Sequence, residues 1–319
     1  MLLRSTATAV AAAAVIALGS ASPALADQDD RHHRGESFTL TGDAAGSRFE
    51  GIAADERRGV FYVSETTGGE IHRGDAGTDQ TVEWLAPGAD GRTTARGMTV
   101  DKDGNLYIAG GPNGLGTGLP DVWVYSPEGE LLTALRMPAS DVFVNDVVIG
   151  PDGAAYFTDS NDPRIYRVAL EGGEWTATVW ADATGTITRQ AGFNLGGIEV
   201  SPDGNAFIVA QGNVGKLWRF GMDGSISEIP TGGVDLVNAD GLVLQGTSLT
   251  VVRNFSRVVT TLRVAADAGS ATLVAEQPSS PTRVLTTAAE LRGEILYVDS
   301  EFGPNPPVPP YEVVTDPFE

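Results

Sequence analysis

Six short segments of the chain repeat one pattern, and their spacing limits the fold more than any other feature. Each joins an apolar run, opened by a polar or glycine residue, through a turn to a second β-rich run. The first leads from Glu50-Gly51-Ile52-Ala53 to Val60-Phe61-Tyr62-Val63, and the second from Arg96-Gly97-Met98-Thr99-Val100 to Leu106-Tyr107-Ile108. The third leads from Asn145-Asp146-Val147-Val148 to Ala155-Tyr156-Phe157-Thr158, and the fourth from Gly196-Gly197-Ile198-Glu199-Val200 to Ala206-Phe207-Ile208-Val209. The fifth leads from Asp240-Gly241-Leu242-Val243 to Leu249-Thr250-Val251-Val252, and the sixth, with a longer turn, from Thr282-Arg283-Val284-Leu285 to Ile295-Leu296-Tyr297-Val298. Taking Gly51, Gly97, Asp146, Gly197, Gly241 and Arg283 as equivalent gives intervals of 46, 49, 51, 44 and 42 residues. A period of roughly 40 to 50 residues is the length of one β-propeller blade.

Local signals agree with that period. The Asp-Gly pairs at 103–104, 152–153 and 203–204 each separate two strand-like runs, where glycine supplies the positive φ of a tight hairpin. Further strands, such as Val122-Trp123-Val124-Tyr125 and Lys216-Leu217-Trp218-Arg219-Phe220, fill the repeat to four strands. A propeller closes its ring so that no long edge is exposed, and Ser37-Phe38-Thr39-Leu40 and Tyr311-Glu312-Val313-Val314 are spare terminal strands suited to closing it. The expectation is an all-β, six-bladed β-propeller of four-stranded antiparallel blades, one domain over residues 36–319; a two-sheet sandwich is the alternative. Residues 1–26 read as a signal peptide, with Arg4, an apolar run from Ala7 to Leu18 and the small-x-small pattern Ala24-Leu25-Ala26. Residues 27–35 read as a polar, disordered tail, and the expected location is secreted, extracellular.

Composition removes several classes of function. There are 42 acidic side chains against 21 basic ones, a net charge of −21, which leaves nothing to neutralise phosphates and disfavours nucleic acid and anionic membranes as partners. The absence of cysteine excludes disulfides, thiol nucleophiles, iron–sulfur clusters and cysteine-based zinc sites. Of three histidines, His32 and His33 lie in the polar tail and only His72 falls within the repeats, so a Ser-His-Asp triad or histidine dyad is not expected.

Inner strands of a propeller line its central channel, so the starts of the repeats converge there. They carry Glu50, Arg96, Asn145 with Asp146, Asn194 near Gly196, Asp240, and Thr282 with Arg283. Carboxylates and amide oxygens meeting on one axis suit a hard cation such as Ca²⁺. Each Asp or Asn before a strand also has the simpler reading of a turn cap. Two other patterns carry little: Asp101-Lys102-Asp103-Gly104-Asn105 reads as a hairpin rather than a calcium loop, because its glycine stands fourth and not sixth. The glycine-rich run Gly110–Gly118 reads as a loop beside the channel, with no helix after it to receive a phosphate.

On the motifs Glu50-Gly51, Val144-Asn145-Asp146 and Ala239-Asp240-Gly241, in repeats one, three and five, the chain resembles the senescence marker protein and gluconolactonase family of calcium-dependent, regucalcin-like propellers. The resemblance implies that Glu50 and Asp240 bind the metal and that Asn145 contacts metal or substrate. It also exposes two departures. The fourth blade of that family offers an Asn where this chain has Gly196, leaving Asn194 or a water to supply the missing oxygen. An Arg that contacts sugar-type substrates is replaced by Phe143, which with Phe193 points to a more apolar substrate. Paraoxonase-like lactonases share the plan but use histidines and a disulfide.

The reading that follows is a secreted, Ca²⁺-dependent hydrolase of lactone or ester type, a monomer acting on a small, apolar lactone or ester. Metal ligands are Glu50, Asn145, Asn194 and Asp240; Asp240 is the proton acceptor, Asn145 a substrate contact, and Arg96 or Arg283 the partner of a developing oxyanion. A non-catalytic ligand- or protein-binding propeller, or a strictosidine synthase-like activity, stays open as the alternative.

Overall fold

The computed structural model describes residues 37–78, 80–111 and 119–319. The expected leader and tail, and most of the glycine-rich run at 110–118, lie outside them. The described residues form six four-stranded antiparallel sheets, each a blade. Their innermost strands are Phe49–Asp55, Ala95–Val100, Val144–Ile149, Leu195–Val200, Ala239–Gln245 and Leu285–Leu291, in blades one to six. Blade six is completed from both ends of the chain, since Tyr311–Val314 is its third strand and Ser37–Leu40 its outermost. Ser37 is registered opposite Val314, and Leu40 opposite Tyr311.

Packing follows the ring. Six apolar clusters fill the six gaps between neighbouring blades, so each sheet is covered on both faces, and the second strands are therefore buried almost throughout. Phe38, Leu40, Phe61, Val63, Leu296 and Val313 belong to the cluster that seals blade six against blade one. Outer strands such as Leu131–Leu135 and Ala271–Pro278 face solvent instead. The expected hairpins are present, with φ of 92°, 81° and 72° at Gly104, Gly153 and Gly204. Asp101 Oδ1 accepts the Asp103 and Asn105 amides, which accounts for the calcium-loop-like run as a turn. Among the described residues no helix is long and apolar enough to cross a membrane.

Candidate functional site

Every inner strand carries the same defect near its start. Its register with the second strand slips by one residue, between Phe49 and Ile52 in blade one, and likewise before Met98, Val147, Ile198, Leu242 and Ala288. Such a bulge re-aims side chains that a regular pleat would send to the blade faces. The first bulge residues are Glu50, Arg96, Asn145, Gly196, Asp240 and Thr286; the second are Gly51, Gly97, Asp146, Gly197, Gly241 and Thr287. The sixth repeat is therefore aligned on Thr287 and not on Arg283, which corrects the last interval from 42 to 46 residues.

The second position explains its glycines. A Cβ on Gly51 would lie 2.0 Å from the Arg96 carbonyl oxygen, and one on Gly197 would lie 2.3 Å from that of Asp240. Backbones of adjacent blades touch there, and hydroxyls stitch them together: the Ser64 hydroxyl accepts the Gly51 N–H at 2.8 Å and donates to the Arg96 carbonyl at 2.7 Å. In blade three the Thr158 hydroxyl does the same between the Asp146 N–H and the Gly196 carbonyl. The scaffold behind the site is thus backbone held to backbone, and the first bulge side chains project from it.

Glu50, Arg96, Asn145, Asn194 and Asp240 all line one cavity of about 520 Å³ at the end of the channel where the inner strands begin. Its wall includes Phe143, Phe193, Phe255 and Phe302. A constriction of about 10 Å³ shares Glu50, Asn145 and Asp240 with it, adding Asp146 and the bulge backbones. That is room for one water-sized or ion-sized occupant. Past it, Asp146 and Glu199 face a second opening of about 220 Å³.

The electrostatics of this floor are those of acids short of countercharge. Desolvation pushes Glu50 up to about 8, helped by repulsion from Asp240 and Asp146 and opposed by Arg96, whose Nε is 4.0 Å from Glu50 Oε2. Desolvation likewise raises Asp240 to about 7, against a 2.7 Å hydrogen bond from Asn254 Nδ2. Burial raises Asp146 to about 7 although the Val147 and Ile198 amides donate to it, and Glu199 to about 8. Among the described residues no group hydrogen-bonds the Asn145 carboxamide. Three acids, Glu50, Asp146 and Asp240, and the Asn145 amide around an ion-sized space fit a hard divalent cation on donor chemistry alone.

Two expected residues differ. Asn194 lines the cavity, but its Oδ1 accepts from the Gln190 amide, Gln211 Nε2 and Asn213 Nδ2, while its Nδ2 faces the carbonyls of Ser160, Gln190 and Gly192. A carboxamide so committed to the loop before blade four has no lone pair left for an ion. Arg283 is not in the channel; it pairs with Glu312 at 2.8 Å and Asp299 at 3.5 Å within blade six. Arg96 is the arginine that remains, its guanidinium stacked 4.0 Å above the Phe143 ring and donating to the Val144 carbonyl. His72 is buried on the third strand of blade one, 3.4 Å from Glu65 and away from the channel. Asn254 and Glu199 were missed by sequence reasoning. Asn254 directly follows the second strand of blade five, a place that also brings Thr66 and Gly212 to the cavity, and this recurrence is the signal that identifies it.

Comparison with known proteins agrees with the architecture. Residues 49–242 match the family model described as the SMP-30/Gluconolactonase/LRE-like region. A protein from Arabidopsis thaliana, strictosidine synthase-like 3, is 31% identical over 140 residues; this covers 40% of the chain and only 34% of that relative. The chain thus spans about a third of the curated relative it matches. Among solved structures, the calcium-binding protein regucalcin from Agrobacterium tumefaciens superposes with a TM-score of 0.57 at 16% identity, covering 86% of this chain and 96% of that one. A catalytically inactive histidine-to-alanine variant of virginiamycin B lyase from Staphylococcus aureus, with quinupristin, gives 0.59 at 15% identity, over 82% and 80%. At these identities the structural likeness concerns the fold.

Proposed function

The chain belongs to the SMP-30/gluconolactonase/LRE-like family, and from that premise we propose that it is an exported, Ca²⁺-dependent hydrolase of lactones or esters. One observation carries the reading: Glu50, Asn145 and Asp240 occupy the same bulge position in alternate blades and border one ion-sized constriction beneath a substrate-sized cavity. Glu50, Asn145 and Asp240 would hold the ion. When bound, Ca²⁺ supplies a Lewis acid that polarises the substrate carbonyl and acidifies water. Asp240 would take the proton of the attacking water, its second oxygen kept in place by Asn254. Arg96 stands beside Glu50 at the cavity wall, where its guanidinium faces negative charge developing on the substrate oxygen. Phe143 and Phe193, with ring centroids 5.0 Å apart, would pack the apolar part of the substrate and keep bulk water from it.

Among the described residues His72, on the third strand of blade one, does not line the cavity, so the proposed hydrolysis uses no imidazole. The test is hydrolysis of a panel of lactones and esters at buffered Ca²⁺. Activity that disappears in EDTA and returns with Ca²⁺ is expected, and activity retained in EDTA would overturn the proposal. Export is checked by sequencing the mature amino terminus, expected to follow Ala26.

A further inference from the structure

We propose a second divalent-cation site, separate from the channel, formed by Asp43, Glu65 and Glu70. One carboxylate oxygen of each lies within 4.8 Å of the other two. They come from two parts of the chain. Asp43 lies on the connection from the outermost strand of blade six into blade one, Glu65 ends the second strand of blade one, and Glu70 immediately precedes its third strand, Ile71–Asp75. The group therefore spans the seam where the ring closes.

What surrounds these acids leaves them short of hydrogen-bond donors. Glu65 and Glu70 are 1% and 3% exposed, yet Glu70 Oε2 is buried with no hydrogen-bond partner among the described residues. Glu65 receives the Thr67 hydroxyl on one oxygen and faces His72 Nε2 at 3.4 Å on the other. The nearby buried cation, Arg92, spends its donors on the carbonyls of Gly69 and Ala86 and on the Tyr125 hydroxyl. A buried carboxylate oxygen without a partner is costly, and three acids held together repel one another. A cation satisfies both at once. All-oxygen donors of hard character suit Ca²⁺, Mg²⁺ or Mn²⁺, and exposed Asp43 leaves a side open for entry and for water ligands. Thr66, between Glu65 and the turn, lines the channel cavity, so an ion here would brace the rim of the active site as well as the seam.

The experiment is calorimetric titration of chelator-stripped full-length protein with Ca²⁺, then Mn²⁺. A Glu50→Gln, Asp240→Asn chain, disabled in the channel, should still bind one ion. Adding Glu70→Gln should abolish that binding and the rise in melting temperature it brings. Asp43→Asn, at an exposed position that does not threaten folding, should weaken it about tenfold or more by ligand removal. Absence of any ion in the channel-disabled chain would overturn the site in favour of a proton shared between the acids. Binding that survives both Glu70→Gln and Asp43→Asn would overturn it as well, by locating the ion elsewhere.

Discussion

The floor and the mouth of the channel are built by opposite means. The floor consists of bulge residues on six inner strands, with hydroxyl bonds joining blade one to two, three to four and six to one. The mouth consists of loop side chains: Phe193 before blade four, Phe255 in a turn of blade five and Phe302 after the second strand of blade six, with Phe193 and Phe255 more than half exposed. Rigid elements hold charge where position matters within fractions of an ångström, whereas loops present apolar surface that tolerates change. The division teaches that chemistry and selectivity should respond separately to mutation in this molecule.

The sharpest way to break that comparison is at the floor. Asp240→Asn should lower kcat/KM about 10²-fold or more, the scale of a lost general base, and remove the Ca²⁺-induced rise in melting temperature from the channel. A near-normal rate would place the chemistry elsewhere. The floor also sets a pH signature in EDTA. Glu50, Asp146, Glu199 and Asp240 have raised folded-state pKa values of about 7 to 8, so the folded chain binds more protons than the unfolded one between the ordinary carboxylate range and about pH 8. Stability is then fully present at low pH and declines as pH rises toward 8. Thermal scans should show a fall of about 4 °C or more between pH 5 and 8, suppressed by Ca²⁺; a flat profile in EDTA would mean the acids are already compensated.

At the mouth, Phe193→Ala should raise KM for long-chain esters about tenfold, the worth of a few lost apolar contacts, with kcat on a small lactone unchanged. A matched fall in kcat would show that mouth and floor are coupled. The smallest effect is expected from Gly196→Asn. A Cβ there meets nothing nearer than 3.7 Å, so the blade-four position can accept a side chain, and Ca²⁺ affinity measured by titration should rise a few-fold as an oxygen is added.

Much of the floor was legible in the chain because a bulge recurs at one place in every repeat, and Glu50, Asn145 and Asp240 mark it directly. The sixth repeat was misaligned because its bulge is Thr286-Thr287, without the glycine or acid that flags the others. Asn194 shows a different limit: its carboxamide is the right group in the right place, but the folded loop takes up its hydrogen-bonding capacity. Asp43, Glu65 and Glu70 were invisible as a set, since neither repeat spacing nor local pattern connects an acid before blade one with the two that flank the turn between its second and third strands.

The pairing of Ser37 with Val314 makes this wheel covalently open yet geometrically endless. A short linker across that junction, with new ends cut at the exposed Gly172-Gly173 turn on the rim of blade three, would yield a circular permutant. Its hub would be inherited whole, because order along the polymer matters less here than the circuit it completes.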